Sequence, residues 1–217
     1  MTPPLVATGG GVTLIGGGEV EPADIDGAVA LAPLVVAADS GADRALAHGL
    51  MPAAVIGDFD SISDAARAVI PAERLHPVPE QDSTDFEKCL TRISARFVLA
   101  LGFTGARLDH TLAAVSVLAR VPAPPVLLIG PADVAFLAPP RLHLPLDPGT
   151  RVSLWPLGPA LGTSLGLRWP IDGIDFAPAG AIGTSNEATG PVTLALDGRM
   201  LVLLPRPWLS EALRAMI

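Results

Sequence analysis

Cysteine is nearly absent from this chain of 217 residues, and Cys89 is the only one. A single thiol excludes an intrachain disulfide framework and is typical of proteins in a reducing compartment. The four histidines are scattered without the spacing of zinc ligands, which argues against a zinc site. We therefore expect a cytoplasmic protein whose fold is stabilised by neither disulfide bonds nor zinc.

Basic residues are also in short supply. Lysine and arginine number 14 against 22 aspartates and glutamates, so the net charge is −8. This balance argues against nucleic acid or an anionic membrane surface as the main partner. Long apolar runs are missing too, although 50% of the residues are hydrophobic, and we expect no membrane span. The first residues, Met1–Pro4, lack the basic segment of a secretory signal.

Strand and helix signals alternate through the first part of the chain. Repeated strand–helix–strand units imply an α/β fold with a parallel sheet and helices on both faces. The predicted strands are Val12–Gly16, Leu34–Ala38, Ala53–Ile56, Arg74–Val78, Phe97–Leu101 and Val126–Ile129. The predicted helices are Pro22–Leu31, Ala42–His48, Ser63–Ile70, one that Thr84 opens, and His110–Arg120.

The pattern changes near residues 138–142, where prolines interrupt it and helix signals fade. Short strand signals dominate from there, and Asp197-Gly198 is a typical hairpin turn. We predict a boundary between residues 139 and 140, with a smaller antiparallel β domain over 140–217. The strands predicted in it are Arg141–Leu146, Thr150–Trp155, Val192–Leu196 and Met200–Leu204, with a short helix over Leu209–Met216.

Aspartates follow several of the predicted strands of the first part. Asp39 comes directly after Leu34–Ala38, and Asp58 and Asp60 come after Ala53–Ile56. Ligands of parallel sheets bind outside the carboxyl ends of the strands, so these carboxylates should converge at one edge. In an extended segment, Asp58 and Asp60 would lie on the same side. Carboxylates placed there suit a Mg²⁺-nucleotide site, although turn and capping chemistry would explain each aspartate taken alone.

Two helix starts carry further polar side chains. Thr84 and Glu87 have the spacing of a capping box, and Asp85 and Lys88 share a helix face. In the loop before His110–Arg120, Arg107 could grip phosphate, and Asp109 could cap the helix or contact a substrate. We predict Leu112, Val115 and Leu118 or Ala119 as the apolar stripe of that helix.

Other features stay open at this stage. Gly16-Gly17-Gly18 would allow close approach to phosphate or form a tight turn, and Trp169 could be a core residue or a stacking platform for a flat ring. Cys89 is interpreted as packing, and His110 as a structural residue at the helix start.

Taken together, these motifs resemble thiamine pyrophosphokinase, in order and spacing along nearly the whole chain. The combination of the segments at residues 57–61 and 81–90 is highly specific for this family. The matching segments are Gly57-Asp58-Phe59-Asp60-Ser61, Gln81-Asp82-Ser83-Thr84-Asp85-Phe86-Glu87-Lys88-Cys89-Leu90, Ala38-Asp39-Ser40-Gly41-Ala42, Arg107-Leu108-Asp109-His110, Gly166-Leu167-Arg168-Trp169-Pro170 and Thr184-Ser185-Asn186.

The resemblance implies a three-layer, Rossmann-like N-terminal domain (1–139) that binds Mg-ATP and a C-terminal β-sandwich (140–217) that binds thiamine and dimerises. It implies a homodimer with shared active sites that transfers the pyrophosphoryl group of ATP to thiamine, giving thiamine diphosphate and AMP. The implied Mg²⁺ ligands are Asp39, Asp58, Asp60 and Asp85. The implied catalytic residues are Asp58, Asp60, Gln81, Asp82, Asp85 and Lys88. The implied ATP-binding residues are Asp39, Ser40, Thr84, Arg107 and Asp109, and the implied thiamine-binding residues are Gln81, Trp169, Thr184, Ser185 and Asn186.

In a pyrophosphokinase, a carboxylate near the thiamine hydroxyl would accept the proton of that hydroxyl. We choose Asp82 for this role. Two alternatives remain. One is a Mg²⁺-dependent kinase or phosphohydrolase on the same scaffold, and the other is a non-catalytic sensor of thiamine or nucleotide.

Overall fold

A computed structural model describes residues 3–105, 107–121 and 124–217. Met1 and Thr2, at which we expected no secretory signal, lie outside the described residues. The chain divides into two compact units, of which the first ends at Pro131 and the second is Ala132–Ile217. The predicted boundary lies further along the chain, after an unpredicted strand, Asp133–Leu137, whose Leu137 pairs with Leu201 of the second unit.

Strands and helices alternate along the first unit. Its larger sheet is parallel throughout, as predicted, and has the strand order β8-β7-β2-β3-β4-β5, while β1 pairs with β6 in a separate two-stranded sheet. The elements are β1 (Val6–Ala7), β2 (Gly11–Ile15), α1 (Pro22–Leu31), β3 (Leu34–Ala38), α2 (Gly41–Ala47), β4 (Ala54–Gly57), α3 (Asp64–Val69), β5 (Leu75–Pro77), α4 (Asp85–Leu90), β6 (Ile93–Ser94), β7 (Phe97–Leu101), α5 (Leu108–Arg120) and β8 (Val126–Ile129).

The central strands of this sheet are buried along their whole length. Every residue of β2, β4 and β7 is buried, which requires cover on both faces of the sheet. Small helical residues allow close packing, as where Ile25 of α1 and Ala45 of α2 meet Ile15 and Val35. Because the strands are parallel, the loops after β3, β4 and β7 leave the same edge of the sheet.

The second unit is mainly antiparallel. Its β12 pairs with β9 and β10 in antiparallel fashion and also with β11, where Trp155 lies opposite Leu201 and Leu165 opposite Thr193. The elements are β9 (Asp133–Leu137), β10 (Arg141–Leu144), β11 (Arg151–Leu167), β12 (Gly183–Pro205) and α6 (Leu209–Met216).

The predicted Asp197-Gly198 hairpin is wrong. Both residues lie inside the continuous strand β12, where Asp197 pairs with Leu161 and Gly198 with Ala160. A β-carbon at Gly198 would come 2.4 Å from the carbonyl oxygen of Pro159. The glycine therefore serves the close approach of two strands rather than a chain reversal.

Two predictions about α5 need correction. The helix begins at Leu108 with Arg107 as its N-cap, so Asp109 lies in the first turn and does not take the capping role considered for it. Its buried residues are Ala114, Val117 and Leu118. The predicted stripe is therefore confirmed at Leu118 and wrong at Leu112, which is 57% exposed. Among the described residues, no helix is both long and apolar enough to cross a membrane.

Candidate active site

Three carboxylates meet at the carboxyl edge of the parallel sheet. Asp39 follows β3, and Asp58 and Asp60 follow β4; one oxygen from each lies within 4.8 Å of the others. The segment is not extended as predicted, because Phe59 between them has a φ of 65°. This left-handed residue turns the backbone sharply, and the two side chains nevertheless converge.

Asp39 is the most buried of these acids, with 3% of its surface exposed. One oxygen, Oδ2, accepts a hydrogen bond from the Ser61 backbone N–H at 3.3 Å. The other, Oδ1, is buried and has no hydrogen-bond partner among the described residues. Burial is the main reason that the pKa of Asp39 rises to about 6. A buried carboxylate oxygen without a donor suits a cation as its missing partner.

Lys88 forms the positive centre of the cluster. Its Nζ lies 2.9 Å from Asp58 Oδ2 and 3.1 Å from Asp85 Oδ1, and its side chain is 1% exposed. Burial works against the charged ammonium, yet the hydrogen bonds with both carboxylates raise the pKa of Lys88 above its usual value. The same hydrogen bond lowers the pKa of Asp58 below its ordinary value. The shared helix face of Asp85 and Lys88 is therefore turned into the site, and Lys88 is buried between the carboxylates.

Helix α4 brings these groups to the site. Thr84 is its N-cap and accepts a hydrogen bond from the Glu87 N–H at 3.3 Å, which confirms half of the predicted capping box. Glu87 instead pairs with Arg120 at 2.6 Å. A β-carbon at Gly57 would come 2.9 Å from Asp39 Cβ and 3.2 Å from Asp85 Oδ1, so glycine is needed where these acids crowd the end of β4.

The remaining predicted residues near α4 divide into two groups. Gln81 joins the cluster, because its Nε2 donates to Asp58 Oδ2 at 3.3 Å. Asp82 is exposed and does not line the cavity described next. Cys89 is buried, as predicted for a packing residue, and burial raises the pKa of its thiol.

A cavity of about 530 Å³ opens beside the carboxylates. Residues from the loops after β2, β3, β4 and β7 and from the first turns of α4 and α5 line it. Of the predicted residues, Asp39, Ser40, Asp58, Thr84, Asp85, Lys88 and Arg107 contribute to its wall, while Asp60, Gln81, Asp82 and Asp109 do not.

The two arginines at the cavity are held differently. Arg107 forms two hydrogen bonds with Asp109, at 2.5 and 3.1 Å. The pair is exposed; it raises the pKa of Arg107 and lowers that of Asp109. Arg44 donates to the carbonyl of Gly17 at 2.8 Å. Ala106, beside Arg107, lies outside the described residues.

The glycine run after β2 packs against the loop after β7. A β-carbon at Gly18 would come 2.6 Å from the carbonyl oxygen of Gly102, and Gly17 and Gly18 line the cavity. The tight backbone contact accounts for the glycines.

Sequence reasoning missed several cavity residues. The Phe103 ring meets Phe86 with centroids 4.4 Å apart, and Thr104 Oγ1 is buried without a hydrogen-bond partner among the described residues. Both lie in the loop after β7, which the strand-end argument places at this edge of the sheet, although neither residue was singled out. Arg44 and His110 also line the cavity. His110 ends the matching segment Arg107-Leu108-Asp109-His110, whereas no motif marks Arg44.

Two of the predicted residues of the second unit, Trp169 and Asn186, contact each other. Trp169 is 54% exposed, which favours the stacking interpretation over a core residue, whereas Asn186 is 7% exposed. The Asn186 side chain donates to the Trp169 carbonyl at 2.7 Å and accepts from the Trp169 N–H at 3.2 Å. Thr184 and Ser185 precede Asn186 on β12, and Ser185 N–H donates to Ser153 Oγ at 3.0 Å.

Comparisons with known proteins agree with this geometry. The sequence model of the family described as "Thiamin pyrophosphokinase, catalytic domain" matches residues 27–127. Thiamine pyrophosphokinase 1 of Oryza sativa subsp. japonica is 30% identical over 154 residues, which are 62% of this chain and 58% of that protein. Thiamine pyrophosphokinase 3 of the same organism is 28% identical over 172 residues, 69% of this chain and 64% of that protein. The chain thus spans about three fifths of the length of these relatives.

The fold has relatives among solved structures. Thiamin pyrophosphokinase from Candida albicans superposes with a TM-score of 0.77 at 16% identity, and the alignment covers 94% of each chain. At this identity the likeness concerns the fold alone, a mixed α/β architecture with a large, mostly parallel sheet and additional antiparallel strands. The chain is thus similar in sequence to thiamin pyrophosphokinases over part of its length and shares the fold of their solved structures.

Proposed function

We propose that this protein is a thiamine diphosphokinase, which transfers the pyrophosphoryl group of ATP to the hydroxyl of thiamine and releases AMP. The match of residues 27–127 to the sequence model of the thiamin pyrophosphokinase catalytic domain supports the reaction. The observation that carries it is the buried Asp39 Oδ1, which lacks a partner among the described residues within a cluster of carboxylates beside a large cavity.

The donor set fits Mg²⁺. Asp39, Asp58 and Asp60 offer the hard oxygen ligands that this ion prefers, and Asp85 lies close enough to Asp39 to raise its pKa. These four residues would hold the metal. Bound Mg²⁺ would neutralise phosphate charge around the reacting phosphorus.

The protein's own residues would bind and orient the nucleotide. The cavity holds Arg107 and Arg44 near its glycine-rich wall, and guanidinium groups bind phosphate oxygens in pairs. Ser40 and Thr84 line the same cavity and supply hydroxyl groups. Asp109 would act through Arg107, because their paired hydrogen bonds orient the guanidinium.

Lys88 would fix the carboxylates and add positive charge near the phosphates. Its ammonium holds Asp58 and Asp85 in place from a buried position, so these side chains need little rearrangement when substrates bind. Gln81, hydrogen-bonded to Asp58, would face the thiamine hydroxyl. We assign Asp82 as the group that accepts the hydroxyl proton, on the family resemblance.

The second unit would bind thiamine through Trp169, Thr184 and Ser185, and Asn186 would belong to the same pocket through its hydrogen bonds with Trp169. We further infer a three-layer first unit, a β-sandwich in the second, and a homodimer whose protomers share active sites. Exposed apolar side chains at Trp155, Leu161 and Leu165 support a partner surface on β11. The single, buried thiol of Cys89 is compatible with a cytoplasmic location.

Product analysis tests the reaction. The purified chain is mixed with ATP, Mg²⁺ and thiamine, and both products are identified by mass spectrometry. We expect thiamine diphosphate and AMP in equal amounts, and Asp58→Asn should abolish both. ADP with thiamine monophosphate would instead make the protein a kinase, and free phosphate with unchanged thiamine would make it a phosphohydrolase. Thiamine binding without turnover would favour a sensor.

A further inference from the structure

The backbone of Trp169 lies just after strand β11, but a side chain, and not the backbone of β12, forms its hydrogen bonds. Along β11 and β12, Leu167 pairs with Ala188, and the Arg168 N–H donates to the Glu187 carbonyl at 2.8 Å. The next partner along β12 is Asn186, whose backbone already pairs with Val152. Pro170 then follows, and proline has no N–H to continue the ladder.

The carboxamide of Asn186 replaces the missing strand contact. It binds both the N–H and the carbonyl of Trp169, and its Oδ1 also accepts the Glu187 N–H at 2.8 Å. An amide oxygen accepts two hydrogen bonds, so Oδ1 is fully used, and only one N–H of the carboxamide remains. This side chain is therefore poorly suited to be a principal ligand of a substrate.

The indole of Trp169 is held on one face as well. The Arg168 guanidinium lies over the ring, 5.0 Å from its centroid, and Arg168 Nη1 is 3.4 Å from Glu187 Oε1. One ring face is covered by this cation, while the residue as a whole is 54% exposed. An exposed aromatic ring with a fixed backbone and one free face is a preorganised stacking surface.

We propose that Asn186 is a positioning residue that fixes Trp169 as a one-sided stacking platform for a flat ring of the substrate. The identity of that substrate as thiamine rests on the proposed function, whereas the positioning of Trp169 does not. Loss of the carboxamide should free the Trp169 segment and weaken stacking, with little effect on the chemistry of phosphoryl transfer.

The test follows Trp169 as the only tryptophan. Trp155→Phe and Trp208→Phe are introduced into the full chain, and Asn186→Ala, Asn186→Asp and the control Thr189→Ala are added singly. Thr189 is an exposed residue of the same strand. Fluorescence anisotropy decay and acrylamide quenching of Trp169 are recorded without ligand, and KM values for thiamine and ATP are then measured.

We expect faster local motion and greater quenching of Trp169 in Asn186→Ala, with KM for thiamine raised about tenfold and KM for ATP and kcat changed less than about twofold. Asn186→Asp keeps both acceptor contacts and loses the donor, so its effect should be intermediate. Thr189→Ala should match the parent.

Unchanged Trp169 motion in Asn186→Ala would overturn the proposal, as would a lower kcat at constant KM for thiamine. If Asn186→Ala does not fold, the same criteria apply to Asn186→Asp. A parent protein without thiamine turnover would refute the proposed function, and the anisotropy data alone would then decide the role of Asn186.

Discussion

Asp39 and Asp58 occupy equivalent places after neighbouring parallel strands, but their environments shift their pKa values in opposite directions. Asp58 has Lys88 as a partner and its pKa is lowered, while Asp39 is buried without a cation and its pKa rises to about 6. Lys88 thus balances the negative charge of Asp58, whereas no cationic side chain in the described part of the chain does the same for Asp39. Within the cluster, Asp39 is therefore the carboxylate that depends most on an external cation for its charge balance.

Removing Lys88 should have the largest effect. Lys88→Met leaves Asp58 and Asp85 close together without their shared cation, and we expect a loss of about 2–4 kcal/mol in the free energy of unfolding. AMP release should fall at least ~100-fold. Urea denaturation and product assays measure both. Arg120→Met, which removes the more exposed cation paired with Glu87, should cost less than about 1 kcal/mol.

Asp39→Asn should stabilise the metal-free protein while it abolishes activity. Because the pKa of Asp39 is raised from 3.8 to about 6, its contribution to stability is full below pH 3.8 and is lost as the pH rises through 6. Asparagine stays neutral, so the variant should exceed the parent by about 1–3 kcal/mol at pH 8 and by little near pH 4. Urea denaturation with a chelator at both pH values measures this difference.

Added Mg²⁺ should reverse that order, because it binds the charged parent and not the variant. A variant that is less stable than the parent at pH 8 without metal would contradict the burial argument for Asp39.

Asp58→Asn should act in the opposite direction on stability. The pKa of Asp58 is lowered, so its charged form stabilises the fold above the ordinary pKa of an aspartate and loses that effect as the pH falls. We expect the variant to lose about 1–2 kcal/mol at pH 7, together with most of its activity. Equal stability changes in the Asn variants of Asp39 and Asp58 would show that the two environments do not differ as described.

Arg67→Ala should give the smallest effect. Arg67 hydrogen-bonds the Phe59 carbonyl and lies 5.3 Å from the ring centroid of Phe59, whose left-handed backbone orients Asp58 and Asp60. We expect the Mg²⁺ concentration for half-maximal activity to rise about three- to tenfold. Arg96→Ala, at an exposed arginine, is the control. An unchanged metal requirement would mean that the turn holds its shape without Arg67.

The convergence of the acids could be predicted from the sequence because it follows from topology. Parallel strands place Asp39, Asp58 and Asp85 at one edge whatever their side chains contact. The burial of Lys88 could not be predicted. Sequence spacing shows that Asp85 and Lys88 share a helix face, but it does not show which parts of the fold pack over that face. The left-handed backbone of Phe59 was equally hidden, because a bulky residue gives no sign of a positive φ.

The second unit was harder to predict for a related reason. Alternating apolar residues on β12 are equally consistent with two strands joined by a hairpin and with one long strand, and Asp197-Gly198 favoured the hairpin by local chemistry. Only the pairing with β11 decides the matter. The contact between the Asn186 side chain and the Trp169 backbone also depends on that pairing. No local sequence motif therefore predicts this contact.

Lys88 is the only lysine in the sequence, and the folded protein keeps it almost wholly inside. An amine-reactive reagent should therefore reach the ε-amine of the native protein only when the site opens. Enzymes that acylate or ubiquitinate lysine would meet the same barrier. The rate at which the ε-amine becomes labelled should therefore report how often the active site opens. No reporter group has to be engineered into the protein for this measurement.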